Sequence, residues 1–226
     1  MRILRRLSYL LVTYLLVVMM LSVAYRVVPP VSAFMVASAL RGDGAERHWV
    51  PLRAVSPNLI RALIVSEDTR FCVHHGIDWH SVDKALDENR RNGPRGASTL
   101  TMQVAKNLFF WNGRSWVRKA LEAPMALWID FVMPKRREME IYLNIAEWGD
   151  GVFGIEAAAR HQFGVHASQL TAEQSALLVT MLPDPEHRNA ASPGFGHLHM
   201  SWQLSDRIAH EGANTGCLSP SARKRY

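Results

Sequence analysis

Cysteine is almost missing from this chain: Cys72 and Cys217 are the only two. Two thiols make no disulfide framework, and a bridge between them is not expected, since neither spacing nor context supports one. No run alternates apolar and polar residues with convincing period two, which excludes a sheet as the main scaffold. The G-x-S-x-G elbow of Ser hydrolases, the G-x4-G-K phosphate loop and the H-E-x-x-H zinc helix are all absent. Histidine is plentiful, at 10 residues, yet His74-His75 and His197-x-His199 lack Cys or carboxylate partners at ligand spacing. A structural zinc is therefore not expected.

What is present is enough for one sizeable domain and an extra segment: 226 residues, 48% hydrophobic and 20% charged. The net charge of +6 favours anionic partners. Nucleic acid is a weak reading of that charge, because the aromatics are not interleaved with the basic residues as stacking platforms. The stretch Leu7 to Tyr25 has no charged residue, and about 20 apolar residues suffice to cross a bilayer core. Arg2, Arg5 and Arg6 precede it and Arg26 stands alone after it, so the positive-inside rule places the remainder of the chain on the outer face. A retained anchor is favoured over a cleaved signal peptide, whose apolar region would be shorter, although Ser22-Val23-Ala24 is a passable cleavage site. The chain has no second such stretch.

Helix signals dominate the rest. Ser56-Pro57 reads as N-cap and first helical residue of a helix to about Asp68. Asp78 starts another, ending near Arg91 before Asn92-Gly93-Pro94, and Pro94–Ala97 reads as a mobile loop. Ser98 or Thr99 caps a helix with an apolar seam at Leu100, Val104 and Leu108 and a polar row at Thr99, Gln103 and Lys106. Further helices are expected from Trp116 to about Asp130, broken or kinked at Pro124, and from Lys135 to Ala146. After a loop at Gly149, Gly151 and Gly154 come Ile155–Gln162, then Ala172–Leu182 behind the Thr171/Gln174 capping box, then Met200–His210. The last ten residues read as frayed, and Val31–Pro57 yields only a short extended piece at His48–Leu52.

Three acids stand out: Glu67, Asp68 and Glu122. Two carboxylates held apart across a cleft are usual equipment for chemistry at a sugar's anomeric carbon, whereas each taken singly is more often a solvated surface acid. Basic residues Lys106, Arg118, Lys119 and Lys135 surround them in sequence.

These residues fall in four ordered motifs. Glu67-Asp68-Thr69-Arg70-Phe71-Cys72-Val73-His74-His75-Gly76 resembles the first motif of the peptidoglycan glycosyltransferases, E-D-x-x-F-x-x-H-x-G. Gly96-Ala97-Ser98-Thr99-Leu100 through Gln103, Lys106 and Asn107 is similar to the second, and Arg118-Lys119-Ala120-Leu121-Glu122 to the third. Lys135, Glu140, Tyr142, Leu143 and Asn144 match the fourth. The resemblance covers about Trp49 to Pro193, and Asn144 through Gly154 is close to the monofunctional subgroup, the biosynthetic peptidoglycan transglycosylases. With one anchor and no penicillin-binding domain, the monofunctional form is expected.

The resemblance implies a mainly α, lysozyme-like domain that polymerises lipid II, a disaccharide-peptide on undecaprenyl pyrophosphate. It implies Glu67 as general base, Glu122 at the pyrophosphate, and Lys106, Arg118, Lys119 and Lys135 holding phosphates, with Ser98, Thr99, Gln103 and Asn107 shaping the cleft. Asp68, Phe71, His74, Gly76, Gly96, Glu140, Tyr142 and Asn144 would shape the motifs. No cofactor is required, though a divalent cation at the pyrophosphate is compatible. The expected layout is a cytoplasmic 1–6, a transmembrane helix over 7–26, a connector over 27–48, the catalytic domain over 49–215 and a tail over 216–226. Expected partners are lipid II, the growing glycan and the bacterial inner membrane, with wall-synthesis or division proteins as candidates. Cys72 inside the first motif would offer an oxidisable thiol near the cleft. A lytic lysozyme-like enzyme and a non-catalytic lipid II scaffold are the alternatives; the basic set argues against the first and the intact acids against the second.

Overall fold

The computed structural model describes residues 2–42, 44–92, 97–111, 113 and 115–222, without the side chains of 2–4, 7, 11 and 88–92. The expected loop at Pro94–Ala97, Gly96 included, lies outside the described residues except for Ala97. The chain is mainly helical, with ten α-helices and three very short strands among the described residues.

The centre is α3, Pro57–Glu67. Ser56 caps it by accepting the Asn58 N–H, Pro57 opens it, and Leu59, Ala62, Leu63, Ile64 and Val65 are all fully enclosed. Helices α9 (Ala172–Met181) and α10 (Phe195–Glu211) pack on it. A second group is α5 (Leu100–Phe109) against α6 (Trp116–Val132) and α7 (Lys135–Ile145). The seam Leu100, Val104, Leu108 is buried as expected, together with Met139, Tyr142 and Leu143 of α7. The turn 68–78 leads from α3 into α4 (Trp79–Asn92), and α8 (Ile155–Phe163), with Ala157, Ala158 and Ala159 buried, packs on α7.

Several expectations are corrected. The Gly149–Gly154 loop is a hairpin, β2 (Glu147–Gly149) and β3 (Val152–Phe153), turned at Asp150-Gly151 with Gly151 at φ 67. Strand β1 (Glu46–Arg47) joins β3 in parallel, giving the order β1-β3-β2. Strands of two or three residues, buried on both sides in the hairpin, show no alternation for a sequence to reveal. Helix α6 runs unbroken through Pro124; Pro124 and Ala120 lie on the exposed side, where water can take the carbonyl that proline leaves unpaired. Helix α10 begins at Phe195, ahead of the expected Met200, from Gly194 without a side-chain cap. The connector contains α2 (Ala33–Arg41), capped by Ser32 and packed on α5.

The tail is also tied down. Cys72 and Cys217 are bonded to each other, so Cys72 offers no free thiol, and Gly216–Leu218 forms a 3-10 turn with Leu218 buried. The pairing joins residues 145 apart in sequence, a contact made by the tertiary fold and invisible in spacing.

The stretch expected to cross a membrane lies in α1, Arg2–Ala24. Among the described residues no helix is long and apolar enough to cross a membrane. One side of α1 rests on the domain: Val18 is buried, Tyr14 donates to the Phe109 carbonyl at 3.1 Å, and the Trp128 indole donates to Ser22 Oγ at 2.7 Å. Tyr9, Leu10, Leu16 and Met20 on α1 are exposed.

Candidate active site

Glu67 is the last residue of α3, and the chain turns sharply after it. Asp68 leaves the helix at φ −161, ψ 75, while its N–H still bonds the Ile64 carbonyl. Its buried carboxylate accepts the Leu100 N–H at 2.9 Å and faces His74 Nε2 at 2.9 Å. Asp68 thereby sits at the N-terminus of α5, where the helix dipole favours a negative charge, and clamps the first motif to the second. Thr99 repeats the link: its Oγ1 donates to the Gly76 carbonyl at 2.6 Å and accepts the Met102 N–H at 3.1 Å. Gly76, at φ +76, lies so close to α6 that a Cβ would stand 2.7 Å from the Ala126 carbonyl oxygen. Phe71 is fully buried beneath this turn.

The clamp leaves Glu67 facing α5 and α7. Gln103 Nε2 donates to Glu67 Oε2 at 2.9 Å, and Ser66 Oγ donates to Oε1 at 3.2 Å. The other end of the Gln103 amide accepts the Tyr142 hydroxyl at 3.0 Å. Burial, and after it the charge of Glu67, pushes the Tyr142 hydroxyl well above its ordinary pKa, so it stays protonated and donates. A fixed donor at Tyr142 fixes the amide oxygen on its side and the amide N–H2 on the side of Glu67.

One turn beyond Gln103, Lys106 continues the row. Burial lowers its pKa, the positive charge of Arg118 lowers it further, and Glu67 opposes the shift. Lys106 therefore lies in the fields of both Glu67 and the next helix. Helix α6 is capped by Ser115, which accepts the Arg118 N–H, and its first turns carry Arg118, Lys119 and Glu122. Glu122 is 1% exposed and receives Arg118 Nη1 on one oxygen and Lys119 Nζ, at 3.1 Å, on the other. Lys119 also donates to Ser98 Oγ at 2.5 Å. Burial, then the charges of Arg118 and Lys106, pull Lys119 down to about 8 although Glu122 is beside it. Lys106, Arg118 and Lys119 lie in one another's fields with only the last two paired to Glu122, and a bound polyanion would relieve their mutual repulsion.

The structure thus brings together Glu67, Ser98, Gln103, Lys106, Arg118, Lys119 and Glu122, with Asp68, Thr99, His74 and Gly76 as their framework. Lys135 stands apart from the cations. Its ammonium lies 2.7 Å from Asp130, 3.1 Å from Thr101 Oγ1, 3.4 Å from Glu138 and over the Phe71 ring. Glu140 accepts the Leu52 N–H at 2.8 Å and pairs with Arg137, and Asn144 bonds both backbone groups of Val50. Those residues of the fourth motif lock the segment before α3 onto α7. Asn107 is buried on α5.

Both oxygens of Glu122 are engaged by cations, and among the described residues no group of three His, Cys, Asp or Glu could hold a metal ion. The residues present do not fit a resident metal. Beside Glu67, a cleft of about 270 Å³ is lined by Glu67, Asp68, Asp78 and Ser98, with Lys84 of α4 and Arg207 of α10. Sequence reasoning missed these last two, which belong to no motif and are brought in only by the packing of α4 and α10.

The family described as Transglycosylase matches residues 35–204. A biosynthetic peptidoglycan transglycosylase of Nitrobacter hamburgensis is 52% identical over 184 residues, 80% of this chain and 81% of the relative. Proteins of the same name from Rhodospirillum centenum and Agrobacterium fabrum are 49% and 45% identical, over 85% and 94% of this chain and 84% and 93% of theirs. With motifs, geometry and relatives in agreement, the chain belongs to the transglycosylase family.

Proposed function

We propose that this protein polymerises lipid II into the glycan strands of peptidoglycan. The observation that carries the reading is the alignment of a single carboxylate, Glu67, oriented by Gln103, beside a set of three cations that includes Lys106. Glu67 takes the proton from the 4-hydroxyl of the acceptor sugar as its oxygen attacks the anomeric carbon of the growing chain. The bond from that carbon to the pyrophosphate breaks, the pyrophosphate keeps the electron pair, and the configuration inverts to a β-1,4 link. Fixed cations aimed at the leaving group stabilise its charge where it develops. Lys106, Arg118 and Lys119 supply them, Glu122 holds the last two in place, and Ser98 positions Lys119. Lys135 supports the fold beneath Phe71 and is assigned no phosphate. A lytic enzyme has no use for such a cation set.

We read α1 as a single-pass anchor over 7–26 that leaves 49–215 as the catalytic domain on the outer face of the inner membrane. The uncharged run from Leu7 to Tyr25 and the exposed apolar side chains of α1 support it, as do Val117, Leu121, Leu127 and Phe131 exposed along α6. An anchored enzyme and a lipid-linked substrate share one surface layer, which raises their effective concentration.

The test is incubation of the purified protein with labelled lipid II. Polymer that a muramidase digests is the expected product. Shortening of pre-formed glycan without synthesis would replace this reading with the lytic one.

A further inference from the structure

The motif cations of α6 and α7 each have an acid beside them. Arg118 and Lys119 pair with Glu122, and Lys135 with Asp130 and Glu138. Lys106 differs. Among the described residues no hydrogen bond or ion pair holds its ammonium, which lies instead over the Phe34 ring, 5.4 Å from the centroid. At that distance a ring face attracts a cation.

Phe34 comes from α2, in the segment between the proposed anchor and the catalytic domain. It belongs to none of the four motifs and precedes the span 35–204 of the family match. The helix that carries it is fixed. Ser32 caps it by accepting the Met35 N–H at 3.0 Å, Met35 and Ser38 are buried, and Ser38 Oγ donates to the Gly44 carbonyl at 2.6 Å. Because α2 packs on α5, the half-buried ring is held against Lys106.

Lys106 is under pressure to lose its proton. Burial and the Arg118 charge favour the neutral amine, Lys119 lies in the same field, and Glu67 of α3 opposes them. From α7, Tyr142 reaches α5 at Gln103, and Lys135 and Glu138 reach it at Thr101. Helix α2 carries one charged residue, Arg41, at its far end. A ring face favours the ammonium without neutralising it, whereas a paired carboxylate would compete with an incoming phosphate.

Resting on the transglycosylase reading, we propose that Phe34 is a positioning residue for the leaving-group site, holding Lys106 charged and in place while its N–H donors stay open to the pyrophosphate.

The chain has five lysines, few enough to follow singly by NMR on the full chain carrying 13C at lysine Cε; the Lys106 signal is the one missing from Lys106→Arg. In wild type the Lys106 CεH2 protons should be shifted upfield by the ring. Phe34→Leu should return them to the position of an ordinary lysine, while the Lys135 signal, over Phe71, does not move. The Lys106 titration midpoint should fall by about 0.5 to 1.5 pH units in Phe34→Leu and recover in Phe34→Tyr, the range of a cation–π contact. Inorganic pyrophosphate should shift the Lys106 signal of wild type. An unshifted Lys106 signal in wild type, a midpoint indifferent to Phe34→Leu, or no response to pyrophosphate would overturn the assignment. With lipid II, the loss of kcat in Phe34→Leu should grow with pH to about 3- to 30-fold, the same midpoint shift expressed as a ratio, and Phe34→Tyr should reverse it. A loss equal at every pH would reduce Phe34 to packing and overturn the proposal. Failure of wild type to make polymer would count against the transglycosylase reading, and the NMR titration, which needs no turnover, would still decide the contact of Phe34 with Lys106.

Discussion

Glu67 and Tyr142 are held by opposite ends of one amide: Gln103 donates to Glu67 at 2.9 Å and accepts the Tyr142 hydroxyl at 3.0 Å. Three helices, α3, α5 and α7, thus meet at the proposed base. The carboxylate cannot rotate freely, because the tyrosine proton dictates which way the amide faces.

Replacing Gln103 with Ala should therefore do two things. The Tyr142 hydroxyl, left buried without an acceptor, costs about 1–3 kcal/mol of stability, read as a lower melting temperature. Glu67 loses its orientation, and a displacement on the order of 1 Å at a reacting group can cost about 100-fold in rate. Polymerisation measured at saturating lipid II should fall by that order. A variant that turns over at the wild-type rate would show that Gln103 does not orient the base.

Lys119, pulled down to about 8 from an ordinary 10.5, gives the reaction a pH limit. As pH rises through about 8 the ammonium loses its proton and the leaving group loses one cation, so the rate should fall. Lys119→Arg should extend activity to higher pH, because a guanidinium stays charged. Stability runs the other way. Between about 8 and 10.5 the unfolded chain holds more protons at this site than the folded one, so the Lys119 contribution to stability rises with pH. Denaturant titrations from pH 7 to 10.5 should show that rise in wild type and a flatter profile in Lys119→Met.

The Cys72–Cys217 bond fastens the C-terminal turn to the first motif, two residues before His74 and four after Asp68. Closing so long a loop contributes about 2–4 kcal/mol in typical cases. Cys217→Ser or added reductant should lower the melting temperature by several degrees and reduce polymerisation, since the turn carrying His74 loosens around Asp68. Thiol titration of the unfolded, unreduced protein should find no free cysteine; two free thiols would contradict the bond.

Gly76→Ala tests the approach of the first motif to α6. The position demands φ +76, and the added Cβ meets backbone at 2.7 Å. Strain of this kind costs on the order of 1–3 kcal/mol before the clash is counted. The variant should melt well below wild type and lose activity with it, as α6 carries Glu122 and its cations.

Local chemistry made much of this fold legible. Ser56, Thr99 and Thr171 start helices where their side chains accept backbone N–H groups, and such caps are written in adjacent residues. The motif residues Glu67, Gln103, Lys106, Arg118, Lys119 and Glu122 do converge. What stayed hidden is what only packing creates. Cys217 meets Cys72 because the C-terminal turn docks beside α7. Lys135 meets Asp130 across the end of α6, so a lysine expected at a phosphate is consumed by carboxylates. The hairpin at 147–153 is too short for periodicity, and Gly194 offers no side chain to announce α10.

The central claim is that Glu67 removes the acceptor proton, and Glu67→Gln tests it with little change in shape, since Gln103 can still bond the amide oxygen. Wild type and variant are incubated with labelled lipid II, and polymer is quantified over time. General-base removal predicts a loss of about 100-fold or more with lipid II binding retained. Polymer formed by Glu67→Gln at the wild-type rate would contradict the account.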